Sequence, residues 1–249
     1  MDLLFELKVQ VWRRLPLQQR QRLLSGLERL LPRSVLQRGL GAVGGGVFRR
    51  EVRDSGVLFI HVPKAAGTSI ARALYGVEGV GHYRAVEARA QDPQLFERLY
   101  RFAVIRNPWQ RLLSAYRFAR QGGTDDVLVN NAAFYREQLP ERFDHFVLEW
   151  LVQQSPAQLD PIFAPQHLFV SDEQGRLLVH DLYDVADIPR LQSDLSARLG
   201  REIRFSRSNS TGAGADLAAH YRDPAVVKAV EEFYAADVAL FDYRFDAAA

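Results

Sequence analysis

The segment that most narrows what this chain can fold into is 57–74, VLFIHVPKAAGTSIARAL. A short apolar, β-branched run bounded by Gly56 and Pro63 reads as a strand buried on both faces, the pattern of a parallel sheet. A loop of small residues follows, and then Ile70, Ala73 and Leu74 at helical spacing. The same order returns about 40 residues later. There, 102–105 is a short apolar strand, Asn107 is a helix N-cap and Pro108 takes the first helical position. Trp109, Leu112, Leu113 and Tyr116 line one face of that helix, while Gln110, Arg111, Ser114 and Arg117 fall toward the other. Two strand–loop–helix units in succession predict an α/β domain around a mostly parallel sheet.

The rest of the chain is read at lower resolution. The stretch 121–131 reads as an exposed loop. Apolar triplets at 168–170 and 177–179 flank the turn Asp172-Glu173-Gln174-Gly175 and predict a β-hairpin. A strand is expected over 182–185, a helix over 188–199, a loop over 206–216 and a last helix from 223 to 240. Toward the N-terminus, Leu4, Leu7, Val11 and Leu15 form one helical stripe, and Leu23, Leu24, Leu27, Leu30 and Leu31 form another. The flexible joint GLGAVGGG follows. The expected division is an N-terminal helical arm over 1–46 and a main domain over 47–249.

The arm carries most of the charge asymmetry. Residues 1–53 hold one Lys and ten Arg against four carboxylates, an excess of seven in a chain whose net charge is only +2. This fits either a solvated basic face or peripheral contact with an anionic membrane surface. It does not predict nucleic-acid binding, because the basic excess is confined to the arm and no recognised module accompanies it. The chain has no cysteine, which excludes disulfides, thiol catalysis and cysteine-ligated zinc. No run approaches the roughly 18–20 apolar residues of a membrane span, and the acidic start is not a signal peptide, so a cytoplasmic protein is expected. The acidic residues show no metal-ligand spacing, and no metal is expected.

The loop between the first strand and its helix has the chemistry of a phosphate site. Small residues at Ala65, Ala66 and Gly67 let backbone N–H groups wrap an anion, and the helix N-terminus adds its positive dipole end. Thr68 and Ser69 supply hydroxyls and Lys64 a compact charge. Only three of the 32 basic residues are lysine, so one inside this loop stands out. The order differs from the ATP-binding pattern GxxxxGK[ST], where Lys follows the glycines. Arg106 lies at the C-terminal end of the second strand, the edge where open α/β sheets bind ligands, and its fork suits a second phosphate. Ser114 lies two helical turns on.

Together, HVPKAAGTS and FAVIRNPWQRLLSAY resemble the two nucleotide motifs of sulfotransferases that use 3′-phosphoadenosine-5′-phosphosulfate (PAPS). The nearest group is the carbohydrate-type family, family 2 and its bacterial relatives. Weaker echoes extend the likeness over about 56–245: APQHLF, the turn with Asp172 and Gly175, SNST, and the segment 221–243. The resemblance implies a P-loop-like three-layer fold with the sheet flanked by helices. It implies that Lys64, the backbone of Ala65, Ala66, Gly67 and Thr68, and the Thr68 and Ser69 hydroxyls hold the 5′-phosphosulfate. Arg106 and Ser114 would hold the 3′-phosphate, and Asn209 and Ser210 would approach the nucleotide. The desulfated nucleotide, 3′-phosphoadenosine-5′-phosphate (PAP), would be the product. The segment Val185-Ala186-Asp187 departs from the family, many of whose members have a basic or aromatic residue followed closely by Glu there.

The implied reaction moves a sulfuryl group to an acceptor hydroxyl by in-line displacement, the acceptor being a glycan or glycolipid. His82, between the two motifs where related enzymes often carry a catalytic His, is the first candidate for the general base, and Glu87 is the second. His61 reads as a structural neighbour of the phosphate loop. His167 is either an acceptor contact or a packing residue. Two other readings remain: a nucleotide kinase of similar topology, and a nucleotide-binding module without turnover. The sequence leaves the oligomeric state open.

Overall fold

The structure is a computed structural model that describes residues 46–77, 79–123, 129, 132–156, 159–205 and 213–246. Apart from Gly46, the expected arm lies outside the described residues, as do Asn209 and Ser210.

A short helix α1 (Arg50–Ser55) leads into β1 (Val57–Ile60). Helix α2 (Gly67–Tyr75) follows, then α3 (Ala85–Gln91), α4 (Pro93–Arg98), β2 (Tyr100–Ile105) and α5 (Pro108–Gln121). Beyond them come α6 (Ala132–Gln138), an irregular helical run with a π-helical stretch at Phe146–Trp150, α7 (His167–Val170) and β3 (Asp181–Asp184). The chain continues with α8 (Ile188–Leu199), α9 (Ala213–His220), α10 (Pro224–Phe233) and α11 (Ala235–Phe241). The three strands form one parallel sheet in the order β1-β2-β3. Val57 pairs with Tyr100 and Ile105 with Asp184, so all three strands end at the same edge. β1 is buried throughout and β2 from Arg101 onward. That burial explains their unbroken apolar runs: a strand between neighbours and covered by helices has no wet face on which polar residues could alternate.

Two hydrophobic cores divide the molecule. One surrounds the sheet and includes Phe59, Ile60, Phe102 and Val104 with Ile70 of α2 and Leu191 of α8. The other is helical, built on Trp109, Leu112, Leu113 and Tyr116 of α5, and it takes in Phe146, Phe163 and Tyr234. Hydroxyls and the indole fasten this second core to the backbone: Trp109 Nε1 donates to the Val227 carbonyl at 3.0 Å, Tyr221 to the Trp109 carbonyl at 2.9 Å and Tyr234 to the Phe163 carbonyl at 2.7 Å.

Four local expectations change. The hairpin over 168–179 reduces to one antiparallel bridge, Ser171 with Leu177, because 167–170 is helical. The buried Asp237 carboxylate accepts the backbone N–H groups of Gln166 and His167 at the start of α7, a distant cap that no apolar triplet can signal. The loop over 206–216 gives way to α9 from Ala213 onward, its first seven residues lying outside the described ones. The last helix breaks at Tyr234, whose φ of −105° and ψ of 27° leave the helical region. Of the stretch 121–131, residues 124–128, 130 and 131 lie outside the described ones; Val129 is buried rather than exposed and donates its N–H to the Gly122 carbonyl at 3.2 Å.

Candidate active site

The loop from β1 to α2 takes its shape from two strained residues. Lys64 and Ala66 have positive φ, 68° and 60°, in the left-handed region that non-glycine residues avoid at a cost of about 1 kcal/mol each. Ala66 is also the N-cap of α2, and no side chain caps this helix. The first-turn N–H groups of a helix have no intrahelical acceptor. Here they face the loop with no Ser, Asp or Asn side chain at the N-cap to take them. Thr68 is half-buried and Ser69 buried at the same turn.

Gly67 is fixed by contact as well as by the turn. The His61 imidazole lies directly on it: a Cβ at position 67 would sit 1.7 Å from His61 Nε2. The His61 ring stacks on Phe59 at 5.5 Å between centroids and tilts against His82 at 4.4 Å. Burial, then the His82 ring, keeps the His61 pKa well below the ordinary histidine range, with Lys64 adding in the same direction. The same burial favours the neutral imidazole beneath the loop that carries Lys64.

The second turn, from β2 to α5, is built differently. Asn107 Oδ1 accepts the Trp109 N–H at 3.1 Å, with Pro108 at the first helical position, as expected from the sequence. Gln166, fully buried, holds both backbone groups of Arg106: its Oε1 accepts the Arg106 N–H at 2.9 Å and its Nε2 donates to the Arg106 carbonyl at 2.8 Å. The C-terminal segment closes over this turn, with Asn107 Nδ2 donating to the Arg244 carbonyl at 2.9 Å and Tyr243 donating to Asp184 Oδ2. Arg106 Nε donates to Gln110 Oε1 at 3.3 Å.

The two turns meet along one helix face. Lys64 Nζ lies 4.0 Å from the centroid of the Phe118 ring on α5. Phe118, Ser114 and Gln110 are spaced four residues apart, so they share a face, and Gln110 touches Arg106. This row joins Lys64 to Arg106. Among the described residues neither cation has a carboxylate within ion-pair distance. Burial and then the Arg106 charge lower the Lys64 pKa to about 8. Burial likewise lowers the Arg106 pKa, partly opposed by the field of Asp184. Two partly desolvated cations held near each other by the fold make a basin that favours an anion with more than one charge.

His82 lies beside this basin. Its Nδ1 is 3.4 Å from the His61 carbonyl, a long contact; with the proton on Nδ1, the lone pair is on Nε2, the arrangement of a base. Glu87, the second candidate base, accepts the Arg84 N–H at 2.8 Å in the first turn of α3. His167 Nδ1 lies 2.7 Å from Asp237 Oδ1, a carboxylate oxygen that also accepts the His167 N–H. The sequence reading missed Gln166 and Asp237, and it assigned Arg111 to the face opposite the core. Arg111 is only 1% exposed and donates to the Ile162 and Ala164 carbonyls at 3.3 and 2.7 Å. A cavity of about 460 Å³ lies at the other end of the sheet, beside Val57, Tyr100 and Asp181. Lys64, Arg106 and the N-terminus of α2, which no side chain caps, lie at the C-terminal edge instead, where parallel sheets bind ligands.

Among the described residues no helix is long and apolar enough to cross a membrane. The chain matches no curated protein and no solved structure. The sulfotransferase family model matches residues 51–244, a span that holds both turns, the row on α5 and the residues that back Arg106. The chain therefore belongs to the sulfotransferase family.

Proposed function

We propose that this sulfotransferase takes the sulfuryl group from PAPS and transfers it to a hydroxyl of a glycan or glycolipid, on a P-loop-like three-layer frame formed by residues 47–249. The observation that carries the reading is the pair Lys64 and Arg106. They are cations without carboxylate partners among the described residues, joined by the row Gln110, Ser114 and Phe118. A nucleoside with phosphates at both 3′ and 5′ presents two anionic groups to two separate cations.

In this reading the uncapped amides of 65–68, with the Thr68 and Ser69 hydroxyls, hold the 5′-phosphate, and Arg106 and Ser114 hold the 3′-phosphate. Asn209 and Ser210 complete the nucleotide contacts. Bound PAPS supplies a sulfuryl group on a good leaving phosphate. Lys64 stabilises the charge that gathers on the bridging oxygen as the bond from that oxygen to sulfur breaks and the bond from the acceptor oxygen forms. His82 takes the acceptor proton on Nε2, and Glu87 serves the capping of α3. No metal enters the scheme.

The test is calorimetric titration with PAP, ADP and ATP on the parent, Lys64→Ala and Arg106→Ala. Tight binding that needs the 3′-phosphate and falls at least about tenfold in each variant, about 1.4 kcal/mol, is expected. A preference for ATP would favour a kinase. Tight PAP binding without sulfation of any hydroxyl acceptor would favour a binding module without turnover.

A further inference from the structure

We propose that Gln166, anchored by Asp237, is a positioning residue that fixes the direction of Arg106 and so sets selectivity for a 3′-phosphate. This rests on the reading of Arg106 as the 3′-phosphate ligand. Arg106 lies one residue past the end of β2, where the Ile105–Asp184 pairing is the last of the ladder. Beyond that point no strand holds its backbone. Gln166 takes the missing neighbour's place. Its side-chain amide acts as a peptide group, accepting the Arg106 N–H at 2.9 Å and donating to the Arg106 carbonyl at 2.8 Å. In extended backbone the N–H and C=O of one residue point to the same side, so one amide can pair with both. With both groups held, the Cα–Cβ direction of Arg106 is held too.

Gln166 is itself fixed from behind. Its backbone N–H donates to Asp237 Oδ2 at 2.7 Å, while Asp237 Oδ1 accepts the His167 N–H at 2.8 Å and contacts His167 Nδ1 at 2.7 Å. Gln166 and Asp237 are both 0% exposed. A carboxylate buried this fully is costly unless several donors hold it. The donors that hold this one belong to the two residues that begin α7. The chain of contacts therefore runs from α11 through Asp237 and Gln166 to the backbone of Arg106, across 71 and 60 residues of sequence. None of these groups except Arg106 needs to touch the nucleotide.

An amide that merely glued the fold together would affect every ligand alike; one that aims Arg106 affects only ligands with a 3′-phosphate. The experiment compares PAP with AMP, which lacks that phosphate, on the full chain. In Gln166→Leu, PAP affinity is expected to fall about tenfold, the scale of one or two lost hydrogen bonds, with AMP affinity unchanged within about twofold. Asp237→Asn keeps the shape and one acceptor oxygen, and it provides the reading if Gln166→Leu does not fold; a loss of about threefold for PAP alone is expected. Equal weakening of PAP and AMP, or undiminished discrimination in a folded variant, would overturn the positioning role while leaving the sulfotransferase reading intact. A parent that does not distinguish PAP from AMP would overturn both.

Discussion

The two strand-to-helix turns occupy equivalent places at the sheet edge, yet they are stabilised by opposite means. The turn before α5 is fastened by side chains: Asn107 caps the helix, Pro108 sets the first helical residue and Gln166 holds both backbone groups of Arg106. The turn before α2 has no side-chain cap, and two of its non-glycine residues are left-handed. The difference follows from what each turn offers. The second presents a guanidinium, so its own amides can be spent on holding the backbone still. On the proposed reading the first presents its amides, and any cap that bonded them would compete with the bound anion. Its shape comes instead from strain and from the His61 ring wedged onto Gly67.

The largest effect that would sharpen this contrast is at Lys64. Lys64→Met keeps the length of the side chain and removes its charge. Turnover is expected to fall about 10³-fold, the scale of losing a preorganised charge at a leaving group. Stability should move the other way. The folded pKa of about 8 lies below the ordinary value of 10.5. The unfolded chain therefore binds the proton more tightly, and a charged Lys64 destabilises the fold at every pH below about 8. The cost fades as pH rises from about 8 to 10.5. At pH 7 the Met variant should be more stable by about 1–3 kcal/mol, a margin that closes over that window. Chemical denaturation at pH 7 and pH 10 checks it. Equal stability of parent and variant at pH 7 would mean that the ammonium is already compensated in the free protein. In the parent, PAP binding should weaken above pH 8, as the lysine charge is lost.

Next in size is Gly67→Ala. The added Cβ meets an imidazole packed between Phe59, His82 and the loop, and it cannot be accommodated without moving that ring. A loss of about 2–3 kcal/mol in stability, together with most PAP affinity, is expected. His61→Ala in the same chain should restore part of both, because it removes the obstructing ring. Failure of the second substitution to rescue the first would show that the ring does not set the loop's shape.

How much of this was legible in the sequence depends on the range of the cause. β1, β2, the Asn107-Pro108 cap and α8 over 188–199 are set by periodicity and adjacent residues, and they stand where the pattern puts them. The places of Lys64 and Arg106 in the fold were legible because each follows an apolar strand, where local pattern marks the turn. Gln166, Asp237 and Arg111 were not. A glutamine 60 residues from its partner, an aspartate on a late helix and an arginine on the side of α5 that carries Gln110 and Ser114 show no mark of burial in the sequence. Arg111 reads as a surface residue until the carbonyls of Ile162 and Ala164 are seen to meet its guanidinium. The helical turn of α7 was hidden for the same reason, since its cap is the carboxylate of Asp237.

The smallest predicted effects test the comparison most directly, because they exchange the stabilising device within each turn. Asn107→Ala removes a side-chain cap and should cost about 1 kcal/mol, with little change in PAP affinity beyond what the altered stability of the turn carries to Arg106. Ala66→Gly does the reverse in the other turn. It relieves a left-handed alanine but gives the unfolded chain more freedom, two terms of similar size and opposite sign, so thermal stability should shift by less than about 0.5 kcal/mol. PAP affinity should nevertheless fall a few-fold, because glycine has a wider range of backbone conformations open to it than alanine and orders the loop amides less firmly. A capped turn thus answers substitution mainly in stability and an uncapped one mainly in binding. If Ala66→Gly bound PAP as tightly as the parent, the strain at Ala66 would be incidental to anion recognition, and His61 alone would account for the shape of the loop.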